Sequence, residues 1–400
     1  MIPQIAWKNI LHRPLNALLS WVLLTTGVAI IAMLLLLQEQ LDEQRGKSIS
    51  GIDMVMGAKG SAMQLILSAV YHLDSPTGNI NYVEAQQWMK HPFVASAIPL
   101  SYGDSYKGFS ILGTTQAYLD KYEAKLATGA FFEHDFEVIL GANAAQQLKL
   151  KTGDTFLGTH GLAKEGAEHD THPYHIVGLL APTGTVVDNL IIGNLESVWK
   201  MHDDEAPEDQ VASNSVDSTR EITAVLIQFR SKMGFIQWPR MVAETTKMQC
   251  ASPAIETNRL FSLFGVGING IRYAGLGIIF LAGLSVFIAL FSTLKERIYE
   301  LALMRTLGAS RFQLAFLVLL ESGWLCLAGY LSGLILSRAG LWMISKVIEN
   351  EYHYTLQIMK FRWPEEMYLL LLTMGIGMLA ALLPAWNAYR LNIANTLAEG

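Results

Sequence analysis

The segment from His160 to His175 holds four of the chain's ten histidines, His160, His169, His172 and His175, together with Glu165, Glu168 and Asp170. Imidazole and carboxylate are the ligand types a borderline metal such as Zn²⁺ takes, and close spacing in a flexible loop lowers the cost of gathering them. The four histidines are therefore candidate metal ligands. Gly161, Gly166 and Pro173 argue against a helix here, so the spacing fixes no geometry and matches no closed zinc signature. The plain alternative is a polar loop whose histidines are solvated.

Other chemistry is thinly represented. Gly46-Lys47-Ser48 ends like a phosphate-binding loop, but Leu41 occupies the first glycine position, so the backbone cradle for a nucleotide is missing. No H-E-x-x-H occurs, which leaves an embedded zinc protease unsupported. The glycines of Gly51–Gly60 follow no clear strand and open no dinucleotide fold, so they read as turn formers. Cys250 and Cys326 are too few for a disulfide framework. The net charge of −6, without a basic stripe, gives no sign of nucleic-acid binding. Glu321 is the exception: a carboxylate about two turns into an apolar run, where such groups face a bundle interior or a polar partner.

The elements that must position these residues follow from hydropathy. Of the 400 residues, 51% are hydrophobic and only 16% charged, too apolar for an ordinary soluble protein. Residues 1–14 form a short amphipathic segment, and 15–38 an uncharged run long enough to span a bilayer. That run is too long for a signal-peptide core and has no small-residue cleavage site after it. Three more apolar runs occupy 266–294, 313–337 and 367–389. Lys8 and Arg13 precede the first span, Lys295, Arg297, Arg305 and Arg311 lie between the second and third, and Arg390 follows the fourth. With four spans all of these share one side, so the positive-inside rule puts both termini in the cytoplasm. The loop 338–366, on the other side, holds Arg338, Lys346, Lys360 and Arg362 against that bias.

Residues 39–265 contain no spanning run. Glu137–Leu140 and Ile176–Leu180 read as buried strands, Gly141–Leu150 as a helix closed by a turn at Lys151–Asp154, and Glu221–Arg230 as a half-buried strand. The acidic run Met201–Asp217 reads as a solvated loop. Trp238, Trp324, Trp342, Trp363 and Trp386 read mostly as interfacial anchors at span ends. Gly329 and Gly333 make a G-x-x-x-G suited to close helix packing or dimerisation. The expected fold is an α-helical four-span membrane bundle with a large α+β extracytoplasmic domain between spans 1 and 2.

Between spans 2 and 3, residues 295–312 read as a surface-lying amphipathic helix, broken by Gly308 and restarted at Ser310. Its Glu296-Arg297, Glu300-Leu301 and Met304-Arg305-Thr306-Leu307-Gly308-Ala309-Ser310-Arg311 resemble the cytoplasmic loop of the FtsX/MacB-like permeases of ABC transporter complexes. The tail Leu383-Pro384-Ala385-Trp386 to Arg390 is similar to that family's closing segment, with Ile393 where a proline is common, and 390–400 is a cytoplasmic tail. Ala6–Leu11 fits its first amphipathic helix, and Val138–Gly141 with Gly153-Asp154 its extracytoplasmic core.

The resemblance implies a bacterial inner-membrane, multi-pass transport subunit, not itself an enzyme. It implies a mechanotransmitter that pairs with a second permease chain and works outside the membrane on a periplasmic binding protein or lipoprotein. ATP would sit on a separate ABC ATPase, docked on Glu296, Arg297, Glu300, Met304, Arg305, Leu307, Gly308 and Arg311. This chain would hold no cofactor, unless the histidines bind Zn²⁺. A metal- or protein-binding receptor without an ATPase, and an exporter with a lateral gate, are the alternatives.

Overall fold

Four helices are long and apolar enough to cross a membrane: Ala17–Gln40, Asn269–Glu296, Arg311–Val347 and Trp363–Tyr389, here spans 1 to 4. The computed structural model describes residues 2–12, 14–160, 172–203, 220–352, 359 and 363–391. The chain divides into a unit that holds the spans and a unit built from Asp42–Leu263.

The helices overrun the apolar stretches. Span 1 belongs to a helix over Pro14–Ile49, span 2 to Pro253–Glu296 and span 3 to Arg311–Tyr352. Glu39, Gln40, Glu43, Gln44 and Arg45 are good helix formers and Pro253 is suited to a first helical position, so neither polar flank stops its helix. The same reason corrects the loop expected at 338–366: Leu341–Tyr352 contains neither glycine nor proline, and the helix runs through it.

Within the membrane unit, Gly329 and Gly333 lie against span 1. A Cβ at Gly329 would come within 2.6 Å of Leu24 Cβ, and one at Gly333 within 2.7 Å of Val28. The G-x-x-x-G therefore brings two helices of this chain together, with Thr25 Oγ1 and Ser332 Oγ hydrogen-bonded at 2.7 Å beside it. Leu24, Ala282, Val286, Val318, Cys326 and Ala381 form the centre of the packing.

The other unit is an α+β domain on a mixed sheet. Its path runs Met248–Ala251, Met54–Ala58, Ala224–Phe229, Val94–Tyr106, Phe109–Thr114, Ile191–Asn194, Glu137–Leu140, Tyr174–Leu180 and Leu126–Gly129. The 13-residue strand Val94–Tyr106 joins the two halves: its first part pairs with Ala224–Phe229 and its second with Phe109–Thr114. Lys107 and Gly108 turn that hairpin with φ of 49° and 89°, the double positive φ of a two-residue primed turn. Two neighbouring pairs are parallel, Phe109–Thr114 with Ile191–Asn194 and Glu137–Leu140 with Tyr174–Leu180. Each needs a crossover, and the helix Ala142–Leu148 supplies part of the second.

Two expectations change here. The Gly51–Gly60 stretch holds a buried strand, Met54–Ala58, where a Cβ on Gly57 would meet Leu65 Cδ1 at 2.5 Å; that glycine admits a helix against the sheet rather than making a turn. Trp238 is fully buried in the domain core with Trp88 and Phe229 around it, so it anchors no span. Residues 204–217 of the acidic run lie outside the described residues.

Candidate coupling site

The polar loop between spans 2 and 3 is built by local caps. The preceding helix takes Lys295 and Glu296 and breaks at Arg297, after which a separate helix runs from Ile298 to Thr306. It stops in a Schellman arrangement: Ala309 N–H donates to Met304 O at 3.0 Å and Gly308 N–H to Arg305 O at 3.1 Å, with Gly308 at φ +101°. Span 3 then starts with a capping box. Gln313 N–H donates to Ser310 Oγ at 3.2 Å, and Ser310 N–H donates to Gln313 Oε1 at 2.8 Å. The Leu307-Gly308-Ala309-Ser310 run is thus one helix stop joined to one helix start.

This short helix is seated by Leu301 and Ala302, both buried, with Met304 and Ala309 packed on the same core. Arg297 and Arg305 are half-buried, and Arg305 Nε is shielded from solvent without a hydrogen-bond partner among the described residues. Glu296, Glu300, Leu307, Gly308 and Arg311 are exposed. The residues nominated from sequence therefore divide: Arg297, Met304 and Arg305 turn towards the bundle, the other five away from it. Leu307 is 82% exposed and continues a stripe of exposed Tyr299 and Leu303 at four-residue intervals. Tyr299 and Leu303 stand outside the docking set nominated from sequence, although their four-residue spacing is present in the sequence.

Glu321 explains the inward arginine. It is buried, accepts from Asn9 Nδ2 at 2.5 Å and lies 3.9 Å from the Arg297 guanidinium, which also donates to Glu300 at 2.7 Å. One carboxylate thus joins the amphipathic N-terminal helix Ile2–His12, the break before the loop helix, and span 3. Asn9 lies 312 residues away in sequence, and no spacing could have nominated it. A second buried pair joins Arg338 in span 3 to Glu366 in the first turn of span 4, whose carbonyl also accepts from Tyr330 at 2.9 Å.

Of the histidine stretch the structure describes only the two ends. His169 lies outside the described residues, as do Glu165, Glu168 and Asp170. His160 ends a short strand paired to Asp104, His172 stacks on Phe136 with centroids 4.7 Å apart, and His175 stands on the exposed side of its strand. Among the described residues no group of three or more His, Cys, Asp or Glu side chains is placed to hold a metal ion.

The domain contains a histidine constellation elsewhere. His72, at φ 56°, has Nε2 2.8 Å from Tyr118 Oη and Nδ1 on Tyr102 Oη, while Tyr102 donates to Ser68 O at 3.0 Å. Because Tyr102 spends its proton on Ser68, His72 Nδ1 is the donor to Tyr102 and Nε2 accepts from Tyr118: a neutral imidazole with both nitrogens used. Burial, and secondarily the Lys121 charge, pull its pKa down to about 3.

Comparison with known proteins agrees with this architecture. Residues 17–232, more than half of the chain, match the MacB-like periplasmic core domain family, and residues 273–393 match the FtsX-like permease C-terminal family. The periplasmic region of MacB from Actinobacillus actinomycetemcomitans is similar at 11% identity over 53% of this chain and 95% of that one, with a TM-score of 0.35. The extracellular domain of the noncanonic ABC-type transporter YknZ from Gram-positive bacteria is similar at 11% identity over 50% and 99%, with a TM-score of 0.31. No curated protein matches. Four spans, the α+β domain between the first two and both family matches make this chain a multi-pass inner-membrane protein and a permease subunit of the MacB/FtsX-like ABC transporter family.

Proposed function

We propose that this permease is a mechanotransmitter: a separate ABC ATPase docks on the loop helix Ile298–Thr306, and its ATP-driven movements are converted into movements of the domain between spans 1 and 2. In this reading both termini are cytoplasmic, two permease chains work together, and no solute crosses the bundle. A periplasmic protein or lipoprotein receives the motion.

The observation that carries the reading is the convergence on Glu321. Arg297 stands at the start of the loop helix, and Asn9 and Glu321 belong to two other helices of the bundle. A push on the loop helix is then shared by three elements instead of being absorbed in a flexible turn. Tyr299, Leu303 and Leu307 supply an apolar contact stripe, flanked by the exposed charges of Glu300 and Arg311. Metal handling is no part of this reading.

Co-purification tests it. An ATPase chain is expected to come down with the wild type and to be lost on Leu307→Asp, a change at an exposed position that leaves the helix caps intact. Failure of any ATPase to associate with the wild type, or undiminished association with a Leu303→Asp/Leu307→Asp double variant, would overturn it.

A further inference from the structure

One cavity of the domain is lined by a charged side chain whose buried nitrogen has no hydrogen-bond partner among the described residues. A space of about 420 Å³ opens between the helix Gln116–Lys121, the strands Val94–Tyr106 and Ala224–Phe229, and the Ser50-Gly51 turn that follows the helix Pro14–Ile49. Its polar lining comes from Ser50, Ser96, Asp120, Lys121 and Gln228. The volume suits a ligand of amino-acid to dipeptide size.

Lys121 has its Nζ shielded from solvent with no hydrogen-bond partner among the described residues. The ammonium lies 3.6 Å from the centroid of the Tyr122 ring, and that π-face is its stabilising neighbour. Loss of solvation lowers its pKa to about 8, so at neutral pH the charge is retained at a cost. Three donors are left unused. Lys121 also lines the cavity, and its flexible stem gives the ammonium the reach to turn from the tyrosine face towards an acceptor bound there. Ser50, Ser96 and Gln228 line the same cavity and carry groups that can donate to a ligand, and Asp120 carries one that can accept from it.

We propose that this cavity is a binding site for a small ligand bearing an oxyanion, a carboxylate or a phosphate monoester, held by Lys121 with Ser50, Ser96 and Gln228. The site is independent of the ATPase-docking surface. A ligand there bridges the strands to the turn after the first long helix.

Calorimetry on the full chain in lipid nanodiscs at pH 7 tests the assignment with three probes: N-acetylalanine, glycerol 3-phosphate and the neutral N-acetylalaninamide. Saturable binding of either anion, with the amide at least tenfold weaker, is expected, and which anion binds more tightly distinguishes the two sources. Lys121→Met is expected to weaken the favoured anion by tenfold or more and Gln228→Ala by a few-fold, the latter guarding against misfolding of the former. No binding of either anion to the wild type, equal binding of the amide, or full affinity in a folded Lys121→Met chain overturns the proposal.

Discussion

The membrane unit and the domain bury titratable groups in opposite ways. In the bundle, Glu321 is met by partners from other elements, an amide from Asn9 and the guanidinium of Arg297. In the domain, His72 is held neutral between two tyrosine hydroxyls. The difference follows from what each side chain can give up. A carboxylate among packed helices keeps its charge only with a partner beside it, whereas an imidazole in a packed core has both its nitrogens used by fixed neighbours and needs no charge. The bundle's polar group is thus a joint, and the domain's is a clasp.

Breaking the joint should have the larger effect. Arg297→Met leaves Glu321 with Asn9 alone, and uncompensating a buried carboxylate typically costs about 3–5 kcal/mol. Arg297 is one-fifth exposed and 3.9 Å away, which lowers the expectation to about 2–3 kcal/mol. Thermal unfolding in nanodiscs measures it. Adding Glu321→Gln should recover most of the loss, because the charge goes while an oxygen remains for Asn9; additive losses in that double variant would show that the two residues are not coupled.

Breaking the clasp comes next. His72→Phe removes the acceptor of the Tyr118 hydroxyl and should cost about 1–3 kcal/mol. The pH dependence gives the sharper distinction. The folded-state pKa of His72, about 3, lies below the 6.5 of an unperturbed histidine, so between those values the unfolded chain takes up a proton that the folded domain refuses. Stability is fully present above about pH 6.5 and declines as the pH falls towards 3, by at most about 1.4 kcal/mol per pH unit from this group. His72→Phe should flatten the melting profile over that window, and an unchanged slope would exclude His72 as its source.

In both regions, what could be read from sequence was the local structure and not the long-range geometry. The four spans, the strands Glu137–Leu140 and Ala224–Phe229 and the break at Gly308 were legible because each depends on neighbours within a few residues. The loop helix is the clearest case, since Gly308 and Ser310 specify a stop and a start on their own. The functional geometry was not legible. Asn9 and Glu321 meet across 312 residues, and the parallel pairing of Ile191 with Ile111 has no local signal. Nothing near His72 in the sequence marks it, because Tyr102 and Tyr118 are brought to it by the sheet and by the helix Gln116–Lys121. Arg297, named as a surface residue, turned inward for the same reason: its partner is set by bundle packing.

Smaller changes probe how stiffly the joint is held. Gly308 sits at φ +101°, where a Cβ is strained, although the space around it is open. Gly308→Ala should therefore cost about 1 kcal/mol through backbone strain alone. If loop stiffness transmits force, ATPase activity of the assembled complex should become less coupled to the permease, even with docking retained. Coupling that stays normal in a variant destabilised by this amount would make the Schellman stop merely structural.

Ser310→Ala is the mildest of these tests and the most specific. Ser310 Oγ accepts from the Gln313 amide, and the loss of an N-cap side chain costs about 0.5–2 kcal/mol. The reciprocal bond from the Ser310 N–H to Gln313 Oε1 survives the change, and Ser310 is exposed, so water can replace part of what is lost. The expected effect therefore lies at the low end, about 0.5 kcal/mol, read as faster amide exchange confined to the first turn of span 3. Ser310→Asp should restore protection, because aspartate caps as well as serine and its charge suits the helix N-terminus. Protection that fails to return with aspartate would mean that the first turn of span 3 is held by packing of Leu314 and Leu317 against the bundle core rather than by its cap.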